Sequence, residues 1–334
     1  MEFKITTGEE IRNCAEEVKK ITDQHGGLKN VYCVACGGSL GALYPLEYLL
    51  RTESKNLAVY SIPANEFVHA PSVKVKEGTL VVLGSMTGTT PETVAAAKKA
   101  KELGATVVTM SGAPDTPLAK EGDFHLVYAN SHAGKGGYDS TNLAFALRFG
   151  FELLRLYDNY AHYDKAMAGF DVLESQVTKA VKRCKKRAMA FGEAHKADPV
   201  IYTVASGPSY SVAYMESICM LLEMEWINSS CIHSGEMFHG PFEVVDFETP
   251  FVMFMSEGKT RDLDERALKF LQKYSGRVTI IDAKEMGVSI IAPEVEEYFS
   301  AIFNWEAAYV FSECLAESKN HPLCERRYMF KVEY

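Results

Sequence analysis

Positive charge is in the minority in this sequence. Lys plus Arg number 35 against 44 Asp plus Glu, a formal net charge of −9. An acidic chain of this kind is not expected to bind nucleic acid. The basic cluster Lys182-Arg183 with Lys185-Lys186-Arg187 falls in a charged, helix-patterned stretch and reads as a solvated helix face. Long apolar runs are missing too. No stretch of ~18 apolar residues exists, so no segment is expected to cross a membrane. The opening MEFKITTGEEIRNCAEEVKK is charged throughout, which speaks against a secretory signal. Cysteine has no even framework: eight are scattered, as suits reduced thiols in the cytoplasm. Cys33-x-x-Cys36 has no second pair and lies within a predicted strand, so no metal or redox role is expected of it. The loop over 85–90 carries no Lys and does not match G-x-x-x-x-G-K-[ST], so a nucleoside triphosphate is not expected there.

What is present is the balance of a globular protein, 47% hydrophobic and 24% charged over 334 residues. That length suggests two domains. Residues 8–23 read as an amphipathic helix. Strands are predicted at 31–36, 58–60, 80–83 and 106–110, with helices over roughly 40–50 and 91–103. Apolar strands alternating with helices predict α/β architecture, a mostly parallel sheet covered on both faces. The pattern then repeats. Tyr32, Val34, Ala35, Gly37, Ser39 and Tyr44 recur as Tyr202, Val204, Ala205, Gly207, Ser209 and Tyr214, and Gly88 and Thr90 recur as Gly258 and Thr260, all at one shift of 170 residues. The chain is therefore expected to hold two copies of one α/β unit. Their expected bounds are 1–156 and 198–318, joined by a helical connector over 157–197 and followed by a tail over 319–334.

Two strand-to-helix turns in the first copy carry chemistry. Ser85-Met-Thr87-Gly88-Thr89-Thr90 would expose backbone N–H groups and hydroxyls at a helix N-terminus, where the dipole favours an anion. Gly37-Gly38-Ser39 forms a similar turn after another strand. Both would lie at the carboxyl edge of one sheet, where open α/β sheets bind ligands. A phosphate monoester suits them, although Ser and Thr are also ordinary helix caps. In the second copy Ser85 becomes Met255 and Thr87 becomes Glu257, so only the first copy is expected to hold phosphate. The glycine-rich stretch 133–141 reads as a loop ending in a cap, with Ser140 a capping residue rather than a ligand contact.

The stretch 212–227 (VAYMESICMLLEMEWI) reads as one largely buried helix carrying Glu216, Glu223 and Glu225. Seven residues apart, Glu216 and Glu223 would share a face. A buried carboxylate must be paired, hydrogen-bonded or held protonated, and a general base near neutrality uses such an environment. Just beyond, His233, Glu236, His239 and Glu243 crowd a short segment with a Gly240-Pro241 turn. The spacing matches no strong metal-ligand motif, and no metal is expected there.

These motifs resemble the sugar isomerase (SIS) family of phosphosugar-binding domains. Cys36-Gly37-Gly38-Ser39, Ser85-x-Thr87-Gly88-x-Thr90 and Gly235-Glu236-x-x-His239-Gly240-Pro241 are similar to the turns of the isomerase half of glucosamine–fructose-6-phosphate aminotransferase. The resemblance implies two SIS-type domains, each a three-layer αβα, flavodoxin-like unit. It places phosphate on Gly38, Ser39, Ser85, Thr87 and Thr90, proton transfer on Glu223 and ring opening on His239. Two departures speak against aminotransfer: the chain begins Met-Glu-Phe without the glutaminase Cys, and Arg327 stands where a Schiff-base lysine would. The tail His321-Pro322-x-x-x-Arg326-Arg327-Tyr328-x-x-Lys331-Val332-Glu333-Tyr334 is instead similar to the fructosamine-6-phosphate deglycase branch, nearest to members acting on 6-phosphofructose-aspartate.

The resemblance implies cleavage of a 6-phosphofructosyl amino acid by water to glucose 6-phosphate and the free amino acid, without a cofactor. Arg326 or Arg327 would hold the amino acid's carboxylate, or else serve a structural ion pair. The implied partner is a second copy of the chain, sharing the active site. Phosphosugar aldose–ketose isomerisation and release of another amino acid such as lysine remain alternatives. A DNA-binding phosphosugar sensor does not fit, since there is no room for a helix-turn-helix ahead of residue 31.

Overall fold

The computed structural model describes residues 3–129 and 136–333. Residues 133–135 of the glycine-rich stretch and the terminal Tyr334 lie outside them. The chain divides into two compact units, Met1–Glu174 and Ser175–Tyr334.

The first unit opens with α1 (Gly8–Asp23), started by a capping box in which Thr7 accepts from Glu10 N–H and the Glu10 carboxylate accepts from Thr7 N–H. There follow β1 (Asn30–Ala35), α2 (Gly37–Glu53), β2 (Ala58–Pro63), α3 (Ala64–His69), β3 (Thr79–Ser85), α4 (Pro91–Glu102), β4 (Thr106–Ser111), β5 (Phe124–Val127) and α5 (Asn142–Asp158). All strands are parallel, in the order β2-β1-β3-β4-β5. One face of the sheet, including Tyr32, Val34, Val81 and Leu83, packs on Phe67 of α3 and the alanines of α4. On α5 pack α1 and α2. The strands are buried on nearly every residue, which is why they read as unbroken apolar runs. β5 and α5 are not among the elements that the sequence pattern predicts.

A long helix, α6 (Tyr163–His195), begins in the first unit's residues and ends in the second's. The second unit continues with β6 (Tyr202–Ala205), α7 (Tyr210–Met215), a π-helix (Glu216–Met224), β7 (Cys231–His233), β8 (Phe251–Met255), α8 (Arg261–Tyr274), β9 (Val278–Asp282), α9 (Ala283–Met286) and α10 (Glu296–Lys319). Its parallel strands run β7-β6-β8-β9. This is the first sheet's order without its last strand, as the internal repeat predicts. Its core joins Val204, Phe251, Met253 and Ile232 to Ala267 and Leu271 of α8.

One element departs from the sequence pattern. The stretch 212–227 is not a single α-helix, because after Met215 the chain widens into π geometry: Glu225 N–H bonds to Met220 O, five residues back. Such turns are rare and concentrate at functional sites. The wider winding undoes the expected sharing of a face by Glu216 and Glu223, as their surroundings show.

Candidate active site

In the first unit β1 and β3 are neighbours although β2 separates them in sequence, so the strand order reverses between them. That switch point is where sheets of this order take ligands. Ala35 pairs with Gly84 at the carboxyl ends, which brings the turns over 36–39 and 85–90 side by side. A β-carbon built on Gly84 would stand 3.7 Å from the Ser39 carbonyl.

Gly38 and Ser39 lie in the first turn of α2, which begins at Gly37 and not near residue 40. Gly37 has φ of 54° and its counterpart Gly207 55°, a left-handed conformation that glycine adopts most readily. Gly88 (φ 65°) packs so closely that an added β-carbon would sit 2.3 Å from Thr116 Oγ1. The caps of α2 and α4, Cys36 and Thr90, make no side-chain hydrogen bond to the helix. By contrast Thr7 caps α1 and Thr141, rather than the predicted Ser140, caps α5. The Ser140 hydroxyl turns to Asp139 Oδ1 at 3.0 Å.

The hydroxyls of the 85–90 turn are therefore not simple caps. Ser85 is buried, shares a 2.9 Å hydrogen bond with Thr90 and accepts from Gly88 N–H at 3.1 Å, so these two hydroxyls shape the turn. Thr87 and Thr89 are exposed and share a 2.7 Å hydrogen bond. Thr89 falls on an unspecified position of the Ser85-x-Thr87-Gly88-x-Thr90 pattern. Its signal was only its place between Gly88 and Thr90. Two helix N-termini without side-chain caps and a set of hydroxyls on one sheet edge suit a phosphate group.

The corresponding turn of the second unit is built differently. Lys259 N–H, at the position of Thr89, donates to Glu297 Oε2 at 2.7 Å. A carboxylate of α10 thus occupies this turn from within the chain. Glu257 pairs with Arg261 at 2.9 Å and Lys284 at 3.4 Å. Ser209, the counterpart of Ser39, is fully buried and bonded to Ser256 and Asn304.

The three acidic residues of the π-helix region have separate surroundings. Glu216 is 3% exposed and accepts from Ser312 Oγ at 2.7 Å, and burial pushes its carboxyl up to about 8. Glu225 is also buried. Burial raises its carboxyl while its ion pair with Lys319, at 3.2 Å, pulls the other way. Glu223 is the half-buried member. Its Oε1 accepts from Arg326 Nε at 3.0 Å and lies 2.8 Å from Arg326 Nη2.

Glu223 and Arg326 line a pocket of about 390 Å³ together with Trp226, Asn228, Arg327 and Tyr328. Arg326 also donates to the carbonyls of Leu323 and Glu325, so its fork is committed to Glu223 and to its own tail. Arg327 lies over the Trp226 ring, 4.1 Å from its centroid, a cation–π contact. The one signal of Trp226 in the sequence is tryptophan's scarcity: the chain has two.

His239 is exposed, in the segment after β7, and is not among the residues lining that pocket. His233 Nδ1 accepts from Gly235 N–H at 3.0 Å, and its ring packs 5.0 Å from Tyr210. Among the described residues, no group of three or more His, Cys, Asp and Glu is arranged to hold a metal. Thus the hydroxyl set meets within the first unit, and Glu223, Arg326 and Arg327 meet within the second.

The SIS domain family matches residues 27–148. The fructosamine deglycase of Bacillus subtilis (strain 168) is 38% identical over 97% of this chain and 97% of its own. The fructoselysine 6-phosphate deglycase of Escherichia coli (strain K12) is 26% identical over 90% of this chain and 85% of its own. Among solved structures, a Salmonella typhimurium LT2 protein provisionally described as a phosphosugar isomerase superposes with a TM-score of 0.95 at 38% identity, covering 100% of this chain and 99% of that one. The C-terminal domain of glucosamine–fructose-6-phosphate aminotransferase from Francisella tularensis shares the fold, with a TM-score of 0.78 at 19% identity over 95% and 94%. With the phosphate-type turns, the Glu223 pocket and a relative of this identity over its full length, the chain belongs to the SIS-domain family, in the branch of the fructosamine deglycases.

Proposed function

We propose that this protein is a fructosamine-6-phosphate deglycase that splits a 6-phosphofructosyl amino acid with water into glucose 6-phosphate and the free amino acid, with aspartate as the amino acid. The observation that carries this reading is Glu223, held by Arg326 in a pocket that Arg327 also lines. A carboxylate in a fixed orientation can move a proton between adjacent carbons, and Arg327, stacked on Trp226, offers a planar fork to a substrate carboxylate.

The chemistry runs an Amadori rearrangement backwards. His239 assists opening of the sugar ring. Glu223 takes a proton from C1 while the C2 oxygen gains one, giving an enaminol. Glu223 then returns its proton to C2 and the nitrogen is left doubly bonded to C1. Water adds to that imine, and the C–N bond breaks to leave an aldehyde and an amine. Each step is a proton transfer or a hydrolysis, so no cofactor is called for. The phosphate, seated on Gly38, Ser39, Ser85, Thr87 and Thr90, supplies remote binding energy that orients C1 and C2. The active assembly is a homodimer in the cytoplasm, with the His239 loop lent by the neighbouring copy.

The test is a panel of 6-phosphofructosyl amino acids, aspartate and lysine conjugates included, with glucose 6-phosphate release as the readout. Glu223→Gln should abolish release while still binding substrate. Near-normal turnover by that variant would refute the base assignment. Mixing Glu223→Gln with His239→Ala should restore part of the activity if the site is shared. The phosphosugar isomerase description of the Salmonella structure gives a second reading. It requires glucose 6-phosphate to appear from fructose 6-phosphate alone.

A further inference from the structure

We infer that His321 and Lys319 are positioning residues for Glu223, acting by clamping the carbonyls that end its π-helix. This rests on the reading of Glu223 as the base. The last carbonyls of any helix lack partners inside it, and a cation or N–H donor placed there is stabilising. Here Lys319 ends α10 and His321 lies two residues beyond it. His321 Nε2 lies 3.0 Å from Met224 O, the residue after Glu223. A carbonyl can only accept, so Nε2 carries the hydrogen. Lys319 Nζ donates to Glu225 O and pairs with the buried Glu225 carboxylate at 3.2 Å.

The geometry of the chain locks these donors in place. Asn320 takes a left-handed conformation (φ 52°), and His321 N–H bonds back to Ala316 O at 3.0 Å. The His321 ring also packs against Trp226, centroids 4.3 Å apart. Trp226 itself has φ of 57°, a backbone state disfavoured for a bulky residue that its surroundings must hold. Five residues on, Arg326 holds the Glu223 side chain. The tail therefore fixes the backbone beside Glu223 through two carbonyls and the carboxylate through a guanidinium. Only the guanidinium was visible as a candidate in the sequence.

The test compares His321→Phe, which keeps a ring against Trp226 but has no donor, with His321→Gln, whose amide N–H can still reach Met224 O. Because misplacing a reacting group by ~1 Å can cost about a hundredfold, His321→Phe should lower kcat about tenfold to a hundredfold with KM within about twofold. His321→Gln should regain most of that loss. Lys319→Met should resemble His321→Phe. Hydrogen exchange should speed up over residues 220–227 in His321→Phe and Lys319→Met, and not around Ser85, so the clamp can be read even from a variant too weak to assay. Wild-type turnover in His321→Phe, an equal loss in His321→Gln, or unchanged exchange over 220–227 would overturn the inference. Glu223→Gln run alongside separates the two ideas. If it stays active, the base assignment is wrong. If it is dead while His321→Phe is normal, the clamp alone is wrong.

Discussion

Replacing Glu216 by glutamine should make the second unit more stable at neutral and alkaline pH, and should leave it nearly unchanged in mild acid. Glu216 is enclosed by protein and its one hydrogen bond, from Ser312, is to Oε1, with Oε2 unpartnered among the described residues. Burial raises its carboxyl from the ordinary 4.5 to about 8 against the opposing pull of Ser312, with nearby Glu225 adding to the rise. The folded value lies above the unfolded one, so the folded chain holds this proton longer. The associated stability is complete below about 4.5 and is lost as the pH climbs through 8. At pH 7 the loss is on the order of 3 kcal/mol. Glutamine has nearly the same shape, can accept from Ser312 and never ionises, so the variant escapes that loss.

Urea melts followed by tryptophan emission provide the assay, since Trp226 and Trp305, the only two in the chain, both belong to the second unit. Wild type and variant should melt within about 1 kcal/mol of each other near pH 5 and separate by roughly 3–5 kcal/mol by pH 8, the variant being the more stable. Asp264, raised to about 6, and Glu225 titrate in both proteins and largely cancel in the difference. A difference of the same size at pH 5 and pH 8, or one of opposite sign, would refute the assignment of a protonated Glu216.

Two further outcomes are expected. Gly88→Ala places a methyl against Thr116 in a backbone state unsuited to alanine, so it should cost roughly 1–3 kcal/mol in the first unit and weaken fructose 6-phosphate binding at least tenfold by calorimetry. Unchanged affinity would show that the phosphate sits elsewhere. Glu297→Ala removes the carboxylate that accepts from Lys259 N–H, and should lower the unfolding free energy of the second unit, read from urea melts, by about 1–3 kcal/mol. Formate should restore part of that loss in the variant and do little to the wild type; an equal response in both would show that this turn does not hold a carboxylate specifically.

Much of the architecture was legible from local pattern. The helix predicted over 8–23 is α1 to the residue, and the strands before the two turns fall within a residue or two of β1 and β3. The 170-residue repeat is visible in the order shared by the first sheet's first four strands and the second sheet, and Gly37 and Gly207 share a φ near 55°. These features follow from periodicity and backbone sterics, which act between near neighbours in sequence. The candidate site was legible in part. Ser85, Thr87, Thr90, Gly38 and Ser39 could be named, but their division into turn-shaping and exposed hydroxyls could not.

The sequence by itself determined an α/β chain of two related units with hydroxyl-rich turns at strand ends and a carboxylate-bearing segment ahead of a histidine loop. Tertiary structure alone decided which carboxylate is which. Glu216, Glu223 and Glu225 lie in one short acidic-apolar stretch, yet one is sealed on Ser312, one is held by Arg326 and one is paired with Lys319. Those partners stand about a hundred residues away in sequence, and no local periodicity reports on them. A charge's behaviour depends on what surrounds it in space, through desolvation and the nearest opposite charge, and only the folded chain supplies those surroundings.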